Sequence, residues 1–482
     1  MDKATVSVEV GYINDYCQGL LGRGAIRCEL DPSKGRVLVA DRPFRRGERL
    51  FAEPPLLLVA ESPKNPAFER LQRLARQQRF AHAPLWYWSA LCSLTEDDLA
   101  DCCFPVPSAS QEKQKRLLLL SQTSADEAEE ACSDVVTLVE DLWPPEADLH
   151  ELALKLDRLL VVWLLNCFEH CEDPPGFSTF FLPSFLSHSC QPNCMWHYTG
   201  DDFTLRARED VARNEEVTVS YLSEEALLES TASRRKQLEA TKHFTCCCER
   251  CEKPLDDVRG FTCPSCGDGV VFLDTSRAAA APTAIADGAC GSCGFLADKT
   301  QVAAISSQEA RLESLVHEWD RKATLVPPQT YLTDAMALRL EANFAGLFSA
   351  RHWLRNRCNH HLLAYHESVG RDDLALPLAR KCVDFIASCY PGCSALQAWA
   401  LETQGDLLLR MDGFTLSGSI LESPPGASSE RLSRVRREAG PIYGEATTIL
   451  RMLFGEDHEF HVTMRCKCDA LDRATRVAER RP

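Results

Sequence analysis

Residues 187–194 read SHSCQPNC and directly follow the apolar run FFLPSFL at 180–186. The tripeptide Gln191-Pro192-Asn193 favours a turn, because proline fixes φ and asparagine hydrogen bonds to its own backbone. A turn alone does not explain a histidine and two cysteines within eight residues. Their explanation lies in a second cysteine-rich stretch further along the chain.

The segment FTCCCERC at 244–251 contains three cysteines with the spacing C-x-C-x2-C: Cys246, Cys248 and Cys251. Zn²⁺ prefers four ligands in a tetrahedron, so three thiolates leave one position to be filled. Either Cys190 or Cys194 of the 187–194 turn offers a fourth thiolate. Cys247 is the weakest ligand candidate, because it points away from its neighbours in an extended segment. The pattern therefore predicts a zinc ion that ties residues 246–251 to the turn.

A second zinc motif follows. Two C-x2-C pairs, each followed by glycine, supply four further thiolates: Cys263, Cys266, Cys290 and Cys293. Four sulfur ligands in this arrangement are typical of structural zinc. The gap between the pairs is slightly longer than usual, but the entropy of closing a loop grows slowly with its length. The stretch 276–290 within this gap is rich in alanine and is predicted to be a flexible loop.

The composition limits the class of protein. The chain has 482 residues, 45% of them hydrophobic and 26% charged, and its net charge is -17. This length exceeds what one hydrophobic core usually serves, so two or three domains are expected. The negative charge argues against direct binding to nucleic acid, which requires a basic face, but it suits a lysine-rich protein partner.

Neither a secretory signal nor a membrane span is predicted. The N-terminal residues lack a basic segment followed by an apolar core, and the longest apolar run, at 159–168, is too short to cross a bilayer. We therefore expect a protein of the cytoplasm, the nucleus or both, without membrane contact. In that reducing setting the 24 cysteines are expected to be metal ligands or free thiols rather than disulfides.

The order of elements predicts an α+β fold. Short strands are expected at 35–60 and again at 177–222, with amphipathic helices at 61–170 between them. From about 305 onward the pattern is helical, either as stacked helix pairs of the tetratricopeptide (TPR) type or as a plain bundle. The domains expected from these changes of pattern are 1–60, 61–160, 161–240, 241–300 and 301–482.

Three motifs in this order resemble those of the SET-domain protein lysine methyltransferases, and most closely the SET-and-MYND (SMYD) branch. FLSHSCQPNC is similar to the family's Asn-His-Ser-Cys-x-Pro-Asn motif, EEVTVSYL to its catalytic tyrosine strand, and FTCCCERC to its post-SET cysteines. Order and spacing agree across about 185–252. SKGRVLVA at 33–40 resembles the family's cofactor loop, and NCFEHCE at 166–172 resembles its substrate-channel segment.

The resemblance implies an architecture. A β-rich SET fold would comprise 1–60 and the catalytic core 161–240, with a helical insert at 61–160. Residues 241–300 would form zinc-bound post-SET and zinc-ribbon-like modules, the second similar to an extra module of some family members. A TPR-like helical domain would follow at 301–482.

The resemblance also implies roles for individual residues. Cys190 would close the zinc site made by the 246–251 segment. Tyr221 would be the catalytic tyrosine, and Phe168 would wall the lysine channel beside it. The residues expected to bind S-adenosylmethionine are Lys34, Gly35, Arg36, Asn166, Ser187, His188 and Phe244.

The activity implied is S-adenosylmethionine-dependent methylation of lysine side chains in proteins, histone or non-histone. The substrate would present its lysine in a basic segment, and a narrow channel would desolvate the ammonium, lower its pKa and orient the amine. The alternative is a catalytically silent scaffold that keeps the fold and binds protein partners through its C-terminal helices.

Some features of the sequence depart from the family. Ser187 replaces asparagine, and loss of one cofactor hydrogen bond there would cost about 1–2 kcal/mol, roughly tenfold in affinity. Val37 replaces the usual glycine and cannot adopt the positive φ open to glycine. Both substitutions favour the scaffold alternative. Residues 61–110 show no cysteine–histidine array with zinc-finger spacing, so the MYND finger is expected to be absent.

The candidate residues also have ordinary structural explanations. Taken alone, Tyr221 would be a packed strand tyrosine and His188 a buried, hydrogen-bonded histidine, and only the neighbouring motifs favour functional roles. One further cluster is expected to be a partly buried helix face rather than a metal site: Cys358, His360, His361 and His366.

Overall fold

The fold is that of a computed structural model, which describes residues 3–120, 130–145, 149–170, 173–274, 289–390, 392–417, 419–426 and 428–479. Most of the loop predicted at 276–290 lies outside these ranges. Cys171 and Glu172, the last two residues of the predicted substrate-channel segment, also lie outside them.

The strands are short and occur mainly in the first half of the chain. They are β1 (Ile26–Asp31), β2 (Gly35–Ala40), β3 (Arg49–Glu53), β4 (Leu57–Ala60), β5 (Cys167–His170), β6 (Gly176–Thr179), β7 (Ser187–His188), β8 (Cys194–Thr199), β9 (Asp202–Ala207), β10 (Thr218–Val219), β11 (Leu255–Thr262), β12 (Val270–Asp274), β13 (Phe348–His352), β14 (Thr415–Ser417) and β15 (Ile420–Glu422).

The helices surround these strands and make up most of the second half. They are α1 (Lys3–Leu21), α2 (Pro66–Gln78), α3 (Pro84–Leu91), α4 (Gln111–Leu119), α5 (Ser133–Leu142), α6 (Leu149–Asn166), α7 (Glu224–Leu227), α8 (Thr231–Lys242), α9 (Glu249–Glu252), α10 (Lys299–Ala323), α11 (Asp334–Leu347), α12 (Trp353–Ser368), α13 (Asp372–Cys389), α14 (Ala395–Met411), α15 (Ser429–Phe454) and α16 (Glu459–Glu479), with 3₁₀ turns at Leu182–Phe185 and Pro328–Thr330.

Small sheets form the N-terminal half. β1 pairs with β2, β9 lies between β3 and β8, and β6 lies between β4 and β5, all antiparallel. Residues 36–40 of β2 are buried throughout, as expected of a strand covered on both faces. The parallel pair β7–β10 brings together segments that are about thirty residues apart in the chain.

A helical insert separates β4 from β5. Asn65 caps α2 by accepting from the Ala67 amide, and Pro66 is its first residue, which is a favoured helix start. Within the insert, the buried Trp163 of α6 donates to Ser93 Oγ at 2.8 Å. α6 ends at Asn166 and β5 begins at the next residue, so the insert fixes the position of residues 166–168.

The C-terminal helices pack in sequence, each of α12 to α15 against the next. Their core is continuous with the buried Cys190, Cys246 and Cys251. Arg208 of the N-terminal half joins this junction, since its guanidinium donates to Glu224 Oε2 at 2.7 Å and to the Cys393 carbonyl. The two halves are therefore held together close to the first cysteine cluster.

The α+β class predicted from the sequence is confirmed, with the strands in the first half and helices dominating the second. Some local predictions were wrong. Only Thr218–Val219 of the predicted strand EEVTVSYL is strand. No element was predicted for residues 3–21, which form α1. Within the region from about 305 onward that was predicted to be helical, β13 separates α11 from α12, because Phe348 pairs with Phe261 of β11. Helical periodicity does not reveal such a contact between distant residues. Within the described part of the chain, no helix is both long and apolar enough to span a membrane.

Candidate active site and metal centres

The site is built where β7 and β10 run side by side. Ser187 pairs with Thr218 and His188 with Val219, and the Val219 carbonyl accepts from the Ser189 amide at 2.9 Å. Asn193 closes the turn, because its side-chain oxygen accepts from the Thr218 amide at 2.8 Å. The 187–194 stretch is thus held against the segment that leads to Tyr221.

Tyr221 and His188 are joined directly. The Tyr221 amide donates to His188 Nδ1 at 3.0 Å, and the Tyr221 hydroxyl donates to the Leu186 carbonyl at 2.5 Å. Tyr221 as a residue is 42% exposed, although its hydroxyl group is desolvated. Desolvation of its hydroxyl, reinforced by the nearby Glu216 carboxylate, raises the pKa of Tyr221 to about 12. The hydroxyl is therefore protonated at neutral pH.

Phe244 completes an aromatic group with these two residues. Its ring centroid lies 6.3 Å from that of Tyr221 and 6.0 Å from that of His188, and neither ring is stacked on it. α8 ends just before, and His243 adopts the left-handed conformation (φ 59°) that turns the chain at the helix end. This turn returns Phe244 to the β7–β10 pair.

Lys242 lies beside the same group and was not identified from the sequence. Its ammonium donates to the Leu165 carbonyl at 2.8 Å and lies 5.8 Å from the centroid of the Tyr221 ring. Desolvation lowers the pKa of Lys242, although the neighbouring Cys167 opposes the shift. Its position just before the FTCCCERC motif was the one signal in the sequence that placed Lys242 near the site. Its contact with Leu165 could not be predicted, because these residues are far apart in the chain.

The first cysteine cluster lies behind His188. The sulfur atoms of Cys190, Cys246, Cys248 and Cys251 all lie within 4.8 Å of one another. The distances from Cys190 Sγ are 3.5 Å to Cys251 Sγ and 4.0 Å to Cys246 Sγ. Cys190 is thus the residue of the turn that meets the triplet. Cys194 is buried in β8 outside the cluster, and Cys247 is exposed outside it.

His188 connects this cluster to Tyr221. Burial lowers the pKa of His188 to about 4, so its ring is neutral at pH 7. Because Nδ1 accepts from the Tyr221 amide, the ring proton lies on Nε2, which is 3.3 Å from Cys190 Sγ. The imidazole therefore touches a candidate metal ligand on one side and the main chain of Tyr221 on the other. Partners of this kind orient ligands in many metal sites.

Arginines surround the first cluster. Arg234 is fully buried and donates to Cys251 Sγ at 3.5 Å. Arg250 donates to the Cys190 carbonyl at 3.1 Å, and Arg235 donates to the Cys246 carbonyl at 2.9 Å. These contacts hold the main chain on both sides of the cluster. Arg234 also provides a positive charge that favours thiolates.

The thiol chemistry of this cluster fits a divalent cation. Hydrogen bonding with Cys190 and Cys246 lowers the pKa of Cys251 to about 6, and hydrogen bonding with its neighbours raises the pKa of Cys246. Four such close thiols cannot all ionise unless a cation offsets their repulsion. Four thiolates around one ion are the ligand set that structural Zn²⁺ prefers.

The second cluster is formed by two similar turns. The sulfur atoms of Cys263, Cys266, Cys290 and Cys293 lie within 4.8 Å of one another. In each turn a glycine with positive φ follows the second cysteine, and its amide donates to the carbonyl of the first: Gly267 to Cys263 at 2.9 Å and Gly294 to Cys290 at 2.8 Å. This cluster also offers four sulfur ligands suited to Zn²⁺.

These two clusters are the metal-type groups found within the described residues. The group at 358–366 does not form a third. His361 Nε2 instead donates to Asp320 Oδ1 at 2.9 Å, and Cys358 is buried in the helical core.

The remaining residues predicted to bind the cofactor differ in whether their side chains are already engaged in contacts within the protein. Lys34 is exposed and pairs with Glu216 at 2.5 Å, and Gly35 has φ of 80°. The Arg36 guanidinium is buried, pairs with Glu9 at 3.1 Å and lies over the Phe185 ring. Asn166 donates to the Val162 carbonyl of its own helix at 3.0 Å. Arg36 and Asn166 are thus engaged in structural contacts, whereas Lys34 and Gly35 lie nearer the surface.

Phe168 belongs to a different aromatic group from Phe244. Its ring packs edge to face against Trp196, Phe203 and Phe180, with centroid distances of 5.1, 5.4 and 5.5 Å. This group lies in the hydrophobic core of the N-terminal half. Phe168 therefore has a packing role, and its role in a lysine channel remains a prediction.

Comparison with known proteins agrees with this geometry. Residues 35–222 match the SET domain family. The chain contains a SET domain. It is distantly related to SET-domain lysine methyltransferases, among them the Histone-lysine N-methyltransferase ASHR1 of Arabidopsis thaliana, 26% identical over 51% of this chain and 58% of that protein. The human Histone-lysine N-methyltransferase SMYD3 is 32% identical over 28% of this chain and 29% of that protein.

Other similarities are shorter or weaker. The Protein-lysine N-trimethyltransferase SMYD5 of Gallus gallus is 36% identical over 19% of this chain and 21% of that protein. The crystal structure of the SET domain of LSMT bound to lysine and AdoHcy aligns with 98% of this chain at 11% identity and a TM-score of 0.29, too low to support an argument. The matches span 58% of ASHR1 and about a third or less of the SMYD proteins.

Proposed function

We propose that the protein transfers a methyl group from S-adenosylmethionine to the side-chain amine of a lysine in a protein substrate. The observation that carries the proposal is the meeting of Tyr221, His188 and Phe244 at the β7–β10 pair of a SET domain, directly beside a four-cysteine cluster. The relatives named as lysine methyltransferases support the reaction class.

Tyr221 would position the lysine amine. Its hydroxyl proton is committed to the Leu186 carbonyl, and with a pKa near 12 the phenol is not a base at neutral pH. The oxygen still has a lone pair that can accept a hydrogen bond from the amine. Orientation of the amine in this way can lower the barrier by several kcal/mol.

The lysine must be neutral to react, although free lysine has a pKa of about 10.4. The chain's own Lys242 reports on the environment beside Tyr221, because desolvation lowers its pKa. The same desolvation would act on a substrate lysine that enters the site. The site therefore favours loss of a proton from the substrate without a dedicated general base.

S-adenosylmethionine would supply an electrophilic methyl carbon, whose bond to sulfur breaks as the lysine nitrogen bonds to that carbon. Some candidate residues fit this cofactor. Neither His188 nor Tyr221 stacks on the half-buried Phe244 ring, so this ring suits an adenine. Lys34 and Gly35 would lie at the amino-acid end, and Ser187 and His188 would contribute main chain. Arg36 and Asn166 would act as supports rather than as direct contacts.

We further propose that each cysteine cluster holds one structural Zn²⁺. Each has four sulfur donors, which fills a tetrahedral shell and leaves no open position for catalysis. The first ion, held by Cys190, Cys246, Cys248 and Cys251, would lock the 187–194 turn to the segment that carries Phe244. The second, held by Cys263, Cys266, Cys290 and Cys293, would stabilise its own module.

The test is transfer of a radiolabelled methyl group to a protein array. We expect Tyr221→Phe to reduce labelling by about 10²–10³-fold, the usual loss when a preorganised hydrogen-bonding group is removed from an active site. Tyr365→Phe is the control, because Tyr365 also donates its hydroxyl proton, to Asp334 Oδ1 at 2.7 Å, but lies on α12 outside the segments assigned to the site. Unchanged labelling by Tyr221→Phe would remove this tyrosine from the mechanism.

The second candidate is a catalytically silent scaffold that binds protein partners through its C-terminal helices. The specific observation in its favour is Lys242, whose ammonium lies 5.8 Å from the centroid of the Tyr221 ring. Its positive charge would repel both the sulfonium of the cofactor and the ammonium of a substrate lysine. Calorimetry with S-adenosylmethionine and zinc-loaded protein separates the two. Absence of detectable binding would support the scaffold, whereas micromolar binding would support the enzyme.

The substrate is proposed to present its lysine in a basic segment, because the net charge of -17 attracts such segments. Attraction of this kind weakens as salt rises. Substrate affinity that does not change between low and high salt would contradict this part of the proposal.

A further inference from the structure

A cavity of about 340 Å³ lies where α7 and the two residues after it, Leu228 and Glu229, meet the C-terminal helices α12, α13 and α14. Its walls are mainly apolar and aromatic: Leu228, Trp353, Leu363, Leu396 and Trp399. This volume is at the lower end of the range for small-molecule sites and is large enough for one long side chain. None of the residues assigned to methyl transfer lines this cavity, which lies on the C-terminal helices through which the scaffold alternative would bind its partners.

The cavity carries negative charge on one side. Glu225 and Glu229 both line it, and Glu225 is exposed. Glu229 accepts from Ser233 Oγ at 2.5 Å and from Gln237 Nε2 at 2.7 Å. These neutral donors fix the carboxylate without neutralising it.

The positive groups nearby do not cancel this charge. Arg357 also lines the cavity, but its guanidinium pairs with Asp320 at 2.7 Å. Burial lowers the pKa of His360 to about 4, so this lining histidine is neutral at pH 7. The two glutamates therefore leave the cavity with a net attraction for a cation.

Two polar atoms of the lining residues have no hydrogen-bond partner within the described part of the chain: Trp353 Nε1, a donor, and Asn356 Oδ1, an acceptor. Both residues are 3% exposed. A buried polar atom left without a partner costs about 1–3 kcal/mol. A bound group that reached these atoms would therefore gain affinity.

We infer that this cavity binds a basic side chain, lysine or arginine, of a protein segment. The carboxylates of Glu225 and Glu229 meet its charge, and its methylene groups pack on the apolar walls. The indole of Trp399, which is half-buried, provides a face for a cation. Asn356 Oδ1 accepts from the cation, and a peptide carbonyl accepts from Trp353 Nε1. Binding here needs neither cofactor nor methyl transfer, so it is independent of the proposed function.

The test is calorimetric titration of full-length, zinc-loaded protein without S-adenosylmethionine. The probe is a blocked peptide of glycine, serine and leucine with one central arginine, compared with the same peptide carrying lysine or glutamine. We expect the arginine or the lysine peptide to bind at least tenfold more tightly than the glutamine peptide. Equal binding of all three would overturn the inference.

Variants locate the binding to the cavity. Glu225→Gln with Glu229→Gln should weaken the basic peptide at least tenfold, whereas Glu430→Gln, an exposed glutamate on α15, should leave it unchanged. Glutamine at 229 can still accept from Ser233 and Gln237, so the fold is expected to persist. If the double variant lost its structure, Glu225→Gln alone, at an exposed position, would decide. Wild-type affinity in the folded variants would place the binding elsewhere and refute the inference.

Discussion

Replacement of Cys190 by serine tests the link between two distant segments of the chain. Cys190 is 0% exposed, and its sulfur meets those of Cys246 and Cys251 at 4.0 and 3.5 Å. The three other sulfurs come from the short segment 246–251, so they remain together in the variant. The variant therefore keeps a three-sulfur site but detaches it from the 187–194 turn.

The magnitude follows from the number of ligands. Structural zinc binds to four-ligand sites with about 10–16 kcal/mol, or roughly 2.5–4 kcal/mol per ligand. Loss of one thiolate is therefore expected to weaken zinc binding at this site by about 10²–10³-fold. The second cluster shares no ligand with the first and should keep its zinc.

The assay is competition with a chelator of known affinity, with zinc counted per chain. Cys194→Ser is the matched control, since Cys194 lies in the same motif and is 1% exposed but is not part of the cluster. We expect Cys190→Ser to release one zinc at a chelator concentration at which Cys194→Ser retains both. Wild-type zinc affinity in Cys190→Ser, or an equal loss in Cys194→Ser, would refute the reasoning.

Two further predictions concern stability and the second cluster. Desolvation raises the pKa of Glu53 to about 7, so folded Glu53 keeps a proton between pH 4.5 and 7 that the unfolded chain has lost, and its contribution to stability falls as pH rises through this window. The free energy of unfolding of Glu53→Gln minus that of wild type should therefore rise by about 1–3 kcal/mol from pH 5 to pH 8, as measured by urea titration. A difference that stays constant over this range would contradict the prediction. A Cβ at Gly269 would lie 2.1 Å from Cys290 Sγ, so Gly269→Ala should lose about one zinc per chain by metal analysis, whereas Gly291→Ala, with nothing within 4 Å, should lose none. Equal zinc content in these two variants would show that a Cβ at position 269 does not displace the Cys290 sulfur.

The features that could be predicted from the sequence depend on local geometry. In a C-x2-C pair the chain itself brings two sulfurs close, so spacing alone indicates a metal site at 263–293. Helix α14 (Ala395–Met411) shows apolar residues at helical spacing and occupies the segment where a helix was expected. The motifs between 185 and 252 indicated a SET domain, and residues 35–222 match that domain family.

The features that could not be predicted depend on contacts between distant residues. The choice of Cys190 over Cys194 depends on which cysteine faces the triplet, which follows from the β7–β10 pairing. The pairing of the Arg36 guanidinium with Glu9 could not be foreseen, because the sequence pattern did not indicate the helix that carries Glu9, and the role of Arg36 at the cofactor stays a prediction. Lys242 is an ordinary helix-end lysine in sequence, and only the fold places its amine near Tyr221.

The imidazole of His188 has a consequence for how the protein would respond to oxidants. Its Nε2 contacts the sulfur of Cys190 and its Nδ1 accepts from the amide of Tyr221. A displacement of that sulfur would therefore move the ring and, through it, the residue proposed to hold the substrate. If the first cluster holds the proposed Zn²⁺, oxidation that expelled this ion would displace Tyr221 while the sheets around it were still intact. The proposed methyl transfer would then be lost before the protein unfolded.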